Sequence, residues 1–227
     1  MRSTTERPPL ALGLVLAALL PAAAAGDVLS GRLELAGKAR DGDLAGAVVY
    51  YQPDRPPARR PPSGTFEVVT VRKSFEPRVL AVPVGSTVRF PNQDPILHNV
   101  FSVSGPNRFD LGLYRQGDGK SVTFSHPGVV RVFCNVHHAM VAYVLVLESP
   151  FFVQPAADGS FRLDGLPSGP GTLTVWHERA EPQQLRIALP HGEPLALELV
   201  LDRPRVPPHL NKLGKPYKNL RGRRYHR

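Results

Sequence analysis

The chain has 227 residues, which is enough for one large domain or two small ones. Its formal net charge is +9, but nine of its 28 Lys and Arg residues and none of its 19 Asp and Glu residues lie in positions 203–227. The preceding part is therefore balanced in charge, which argues against a uniformly basic, nucleic-acid-binding domain. The single cysteine excludes a disulfide bond within the chain.

The N-terminal segment has the order of a secretory signal peptide. Arg2 and Arg7 precede an apolar run of 11 residues, Leu10–Leu20, and a small-residue tract follows at Ala22–Ala25. A membrane-spanning helix needs about 20 apolar residues, so this run is too short to be an anchor. We predict a signal peptide over residues 1–25, cleaved near Ala25, and a soluble mature protein exported to the periplasm.

Alternation of apolar and polar residues at period two predicts an all-β protein. No helical apolar period persists beyond the signal peptide, and the short strands with frequent turn signals favour β-sandwiches. Residues 104–119 contain several glycines and are predicted to be irregular. The expected strands are 28–36, 47–51, 66–71, 79–82, 84–90, 99–103, 121–124, 128–133, 141–147, one within 158–167, 171–177, 184–189 and 195–201.

A linker rich in proline and arginine separates the first two strands from the following ones. Proline cannot donate to a β-ladder, so this linker marks a boundary near residue 62. We predict a central unit over 63–148 and a flanking sandwich split between 26–62 and 149–201. Residues 202–227 have too few apolar side chains to offset the entropy of ordering, so a disordered basic tail is predicted. An anionic membrane surface, an acidic partner or solvent alone are alternatives for this tail, whereas nucleic acid is not expected after export.

The most informative motif lies between the strands 128–133 and 141–147. Cys134, His137 and Met140 follow one another at intervals of three residues, so a single turn can present all three side chains to one point. A thiolate, an imidazole and a thioether are soft donors that favour copper. His98 follows a turn-rich loop at the start of another strand and is the best candidate for a fourth donor. This set predicts a type 1 (blue) copper site.

A structural role is the main alternative for each of these residues. A lone histidine or methionine is usually structural, but the common spacing favours the metal. His138 competes with His137, yet it would leave Met140 only two residues away, and we therefore predict that His138 is an exposed neighbour. The remaining histidines are expected to be structural or solvated. Asp94, Asp118 and Glu148 form no acid–base couple, and no nucleophile motif, phosphate-binding loop or zinc pattern appears, so an enzyme is not expected.

The motif around Cys134 resembles the ligand loop of cupredoxins, especially the short loop of amicyanins. Residues 82–94 and His98-Asn99-Val100 are similar to the upstream half of the same family, and the resemblance covers roughly residues 65–148. It implies a Greek-key β-sandwich in which Asn99 ties the two ligand loops together. The flanking segments resemble a carboxypeptidase-regulatory-like, or transthyretin-like, sandwich into which the cupredoxin is inserted or on which it packs. The whole resembles plastocyanin-like proteins labelled methylamine utilization proteins, from which no methylamine chemistry is inferred.

Three functions follow as hypotheses. The first is a monomeric one-electron carrier that cycles between Cu(I) and Cu(II) and docks weakly on redox partners. The second is a copper-handling or sensing module, for which copper is cargo and exchanges rapidly. The third is a structural or carbohydrate-binding sandwich with a secondary copper site, and the presence of all four donors argues against it.

Overall fold

A computed structural model of the chain describes residues 26–55 and 62–217. The predicted signal peptide (1–25), the middle of the linker (56–61) and residues 218–227 lie outside the described residues. Of the described residues, 54% lie in strands and 4% in helical turns, which confirms the all-β class. Within the described ranges, none of the helices has the length and apolar character needed to cross a bilayer.

Residues 26–55 and 62–217 contain seventeen strands and two short 3₁₀ turns, Asp43–Gly46 and Gly105–Asn107. In chain order the strands are β1 (Asp27–Gly37), β2 (Ala47–Pro53), β3 (Thr65–Glu67), β4 (Val69–Val71), β5 (Ser74–Glu76), β6 (Val79–Pro83), β7 (Thr87–Asn92), β8 (His98–Ser102), β9 (Phe109–Tyr114), β10 (Gly117–Thr123), β11 (Gly128–Phe133), β12 (Val141–Leu147), β13 (Phe152–Val153), β14 (Ser160–Leu166), β15 (Gly169–His177), β16 (Gln183–Leu189) and β17 (Leu195–Leu201).

The central part of the chain forms a sandwich of two five-stranded sheets. One sheet has the order β10-β7-β4-β5, with β3 also pairing with β7, and the other has the order β6-β12-β11-β8-β9. The apolar core between them includes Val88, Phe90, Val130 and Val144. Cys134 and Met140 belong to the same core cluster, so one end of this sandwich carries the predicted metal donors.

The flanking segments together form a second sandwich. Its sheets have the orders β14-β1-β17 and β13-β2-β15-β16, so strands from before and after the central unit pair with one another. The two sheets share a core that includes Leu33, Tyr51 and Leu173. The sequence left open whether these segments form one sandwich or separate hairpins, and the pairing shows one sandwich. Its likeness to the carboxypeptidase-regulatory family stays a prediction.

Strand β12 packs against both sandwiches and is buried along its whole length. Ala142, Val144 and Val146 point into the central core, whereas the alternate residues face a third apolar cluster. That cluster includes Val48 and Trp176 of the second sandwich, and the Trp176 ring packs edge-on against Tyr143 at 5.7 Å. Burial on both faces explains why β12 is a continuous apolar run.

The prediction that residues 104–119 are irregular is wrong. The segment contains a 3₁₀ turn, β9 and the beginning of β10, and β9 pairs with β8. Its glycines do not all mark turns. Gly119 lies in β10 at a φ of 73°, and an added Cβ would come within 1.9 Å of the Phe90 carbonyl oxygen on β7. Glycine is required there for close approach of two backbones.

Candidate metal centre

The ligand loop, residues 134–140, connects β11 to β12 across the antiparallel pair Phe133 and Val141. Two backbone hydrogen bonds close it: Cys134 donates to the Met140 carbonyl at 3.3 Å, and Met140 donates to the His137 carbonyl at 3.0 Å. Strand pairing on both sides therefore fixes the ends of a very short loop, as a preorganised site requires.

The structure brings three of the predicted donors together. Cys134 Sγ lies 3.8 Å from His98 Nδ1 and 3.8 Å from His137 Nδ1, and the three donor atoms lie within 4.8 Å of one another. Ligand bonds of about 2.0–2.3 Å in a roughly trigonal plane require donor separations of about 3.5–4 Å. The two sulfur–nitrogen separations of 3.8 Å lie in this range, so the residues fit one ion shared by Cys134 and the two histidines, and the sulfur and imidazole donors suit copper.

Met140, the fourth predicted donor, lies at the end of the ligand loop. Its side chain is fully buried and belongs to the same core cluster as Cys134. This position is compatible with a weak axial ligand, the role that type 1 sites give to a thioether. The ligation by Met140 itself stays a prediction.

His137 lies at the boundary between the core and the solvent. His98 and Cys134 are fully buried, whereas His137 is half-buried. Burial, followed by the charges of His98 and Lys73, lowers the pKa of His137, which favours the neutral imidazole that a metal needs. The exposed apolar side chains of Leu97 and Val136 are the sequence neighbours of the two histidines, and each is 46% exposed.

Asp94 is a functional residue that the sequence interpretation missed. Its carboxylate lies 2.9 Å from His98 Nε2, so that this nitrogen carries the proton and Nδ1 is free to bind a metal. The same carboxylate accepts the backbone N–H groups of Arg72 at 2.6 Å and Lys73 at 2.8 Å. Burial alone would raise the pKa of Asp94, but these backbone donors and His98 lower it. The sequence pattern indicated only that Asp94 forms no acid–base couple and assigned it no role beside His98; an acid four residues before a candidate ligand histidine was the available signal.

Asn99 does not tie the ligand loops together with its side chain, as the family resemblance implied. Its amide donates to Asp110 Oδ1 at 2.7 Å and to the Gly112 carbonyl at 2.8 Å. Both acceptors belong to β9, so Asn99 holds β9 beside β8, and its side-chain oxygen has no partner among the described residues. The unexpected β9 provides these acceptors, which explains the difference.

Residues 203–217, called the strap below, cover one side of the ligand loop. Tyr217 is buried and donates its hydroxyl to the Cys134 carbonyl at 2.9 Å, while the His209 ring stacks on His138 at 4.3 Å. The prediction of a disordered tail is therefore wrong for residues 203–217, and its last part lies beyond the described chain. His138 is half-buried beneath the strap rather than exposed, and burial lowers its pKa.

The chain is similar in sequence and structure to known copper proteins. No family model matches the chain. Amicyanin-alpha of Methylorubrum extorquens is 30% identical over 88 residues, which cover 37% of this chain and 74% of amicyanin-alpha.

Two solved structures are also similar. A purple cupredoxin from Nitrosopumilus maritimus is 26% identical, with a TM-score of 0.32, and the match covers 36% of this chain and 98% of that one. A copper-containing nitrite reductase from Thermus scotoductus SA-01 is 29% identical, with a TM-score of 0.35, and the match covers 52% of this chain and 28% of that one.

Proposed function

Because the chain belongs to the cupredoxin family, we propose that it is a type 1 copper protein that carries single electrons. The observation that supports this most is the convergence of His98, Cys134 and His137 within 4.8 Å in a largely buried site. Bound copper supplies a one-electron couple, Cu(I)/Cu(II), which a trigonal sulfur–imidazole plane with a weak axial ligand suits in both states.

The residues of the chain would hold the ion in a fixed geometry. We assign His98, Cys134 and His137 to the ligand plane and Met140 to the axial position. Asp94 orients the His98 ring, and the fully buried positions of His98 and Cys134 exclude water from their side of the ion. Four protein donors leave no open coordination position for a substrate, which favours an electron carrier over an enzyme.

The half-buried His137 offers the shortest route between the ion and a partner. The exposed apolar side chains of Leu97 and Val136 would flank His137 and allow weak docking of a redox protein, through an interface below about 1,200 Å². Five of the nine C-terminal positive charges lie in residues 218–227 and would attract an acidic partner. We also propose export to the periplasm through the signal peptide at residues 1–25.

The proposed division of the chain follows from the same expectations. The cupredoxin unit would comprise residues 63–148. Residues 26–62 and 149–201 would form a carboxypeptidase-regulatory-like sandwich around it. The common core of β1, β2 and the strands after β12 supports this division.

The test of electron transfer uses the mature chain loaded with Cu(II). Its blue absorption should be bleached by ascorbate and restored by an oxidant through many cycles, with less than one equivalent of copper released. Transfer of Cu(I) to a chelator that is faster than electron self-exchange would instead identify copper as cargo and overturn the proposal.

A further inference from the structure

The strap contacts the ligand loop at two points through hydrogen bonds. The Tyr217 hydroxyl donates to the Cys134 carbonyl at 2.9 Å, and the Lys212 backbone N–H donates to Asn135 Oδ1 at 3.0 Å. Tyr217 is only 8% exposed. Burial and the nearby Cys134 raise the pKa of Tyr217 to about 12, so the hydroxyl keeps the proton that it donates.

Aromatic stacking adds a third contact. The His209 ring lies between Phe133, at 4.2 Å and 14°, and His138, at 4.3 Å and 7°. Tyr217 packs edge-on against His138 at 5.0 Å and against His209 at 5.3 Å. Through His209, the strap therefore holds Phe133 and His138 in one stack; these residues directly follow or precede the candidate ligands, Phe133 before Cys134 and His138 after His137.

The other end of the strap is attached to the second sandwich. Arg179 donates to the Arg203 carbonyl at 3.0 Å, and Arg205 pairs with Asp43 at 3.2 Å. Asp43 is itself buried in an ion pair with Arg179 at 2.6 Å. Arg78, the residue before β6 of the central sandwich, donates to the Arg205 carbonyl. Both sandwiches therefore hold the strap at residues 203–205, and the strap runs from this anchored end to the ligand loop.

We propose that the strap is a clamp on the ligand loop and that Tyr217 is a positioning residue, which holds the Cys134 peptide where its thiolate meets the two histidines. This inference rests on the proposed copper function of the same site. The loop has only two internal backbone hydrogen bonds, so contacts from outside contribute a large share of its order. A clamp of this kind slows opening of the loop, and with it the loss of metal and the entry of water.

The metal-free protein provides the first test, because Cys134 is the only cysteine and is fully buried. Its alkylation by iodoacetamide measures how often the ligand loop opens. Tyr217→Phe removes one hydroxyl and keeps the ring, and loss of one net hydrogen bond should accelerate alkylation roughly 2- to 12-fold. Asn135→Ala, which removes the second anchor, should act in the same direction.

Tyr51→Phe is the matched control. The Tyr51 hydroxyl also donates to a backbone carbonyl, that of Gly169 at 3.3 Å, but it lies in the second sandwich. Its removal should lower the thermal stability without accelerating alkylation of Cys134. Equal acceleration by both variants would show general destabilisation and would overturn the clamp.

The copper-loaded protein provides a readout that packing alone would not change. Tyr217→Phe should move the reduction potential and speed Cu(I) transfer to a chelator, whereas Tyr51→Phe should leave both as in the wild type. Unchanged alkylation, potential and transfer in a folded Tyr217→Phe protein would overturn the inference. If the wild type forms no blue site, the proposed function fails, but the alkylation rates still decide whether the strap holds the loop.

Discussion

Two buried polar clusters of the molecule use histidine in opposite ways. In the second sandwich, both nitrogens of His177 are occupied: Nε2 donates to the Asp43 carbonyl and Nδ1 accepts the Arg179 backbone N–H, each at 3.0 Å. At the metal end, Nε2 of His98 pairs with the Asp94 carboxylate at 2.9 Å, whereas the partner of Nδ1 is the Cys134 sulfur at 3.8 Å, which also faces His137. A buried histidine whose two nitrogens both have hydrogen-bond partners is structural, whereas one with a lone pair directed at other soft donors is ready for a metal.

The largest effect is expected from removing the histidine whose lone pair is free. His98→Ala should lower copper affinity by more than roughly 100-fold, since even the loss of an outer partner of a ligand costs about 10–100-fold. Competition titration against a copper chelator measures this. His177→Ala is the control and should keep the wild-type affinity while lowering stability. If His98→Ala binds copper as the wild type does, the two histidines do not differ as proposed.

The second cluster is expected to control stability rather than metal binding. Arg179→Met leaves Asp43 paired only with the half-exposed Arg205 among the described residues and removes the donor to the Arg203 carbonyl, so the free energy of unfolding of the metal-free protein should fall by about 3 kcal/mol. Urea denaturation gives this value. A variant as stable as the wild type would mean that the pair contributes little to the fold.

Removal of the Asp94 carboxylate, which contacts His98, should lower copper affinity less than removal of His98 itself. Asp94→Asn replaces an acceptor of three hydrogen bonds with a group that has only one acceptor oxygen, so the His98 ring loses its fixed orientation. Copper affinity should fall by about 10–100-fold. Asp54→Asn, at an exposed ion pair with Arg186, is the matched control and should leave affinity unchanged. Equal affinities for the two variants would contradict the orienting role of Asp94.

Local patterns predicted much of this architecture. The continuous apolar run of β12 and the spacing of Cys134, His137 and Met140 are properties of adjacent residues, and they identified the loop without knowledge of the fold. His98 could also be identified from the sequence, because it follows a turn-rich loop directly and stands at the start of a strand. The all-β class followed from period-two alternation in most strands.

The rest depended on contacts between distant residues. Tyr217 and Cys134 are 83 positions apart, and the strap is ordered by a few aromatic and polar contacts rather than by an apolar pattern. Composition alone therefore indicated disorder. The first half of β10 was missed because its residues are exposed and glycine-rich, so the strand shows no alternation and is held by pairing with β7.

The absorption and EPR spectra of residues 26–227 with one equivalent of Cu(II) test directly whether Cys134 binds the metal. We expect an intense blue thiolate-to-copper band and a type 1 EPR signal, both lost in Cys134→Ser. Retention of the blue band in Cys134→Ser, or a wild-type protein that binds copper without this band, would contradict the assignment of Cys134 as the metal thiolate.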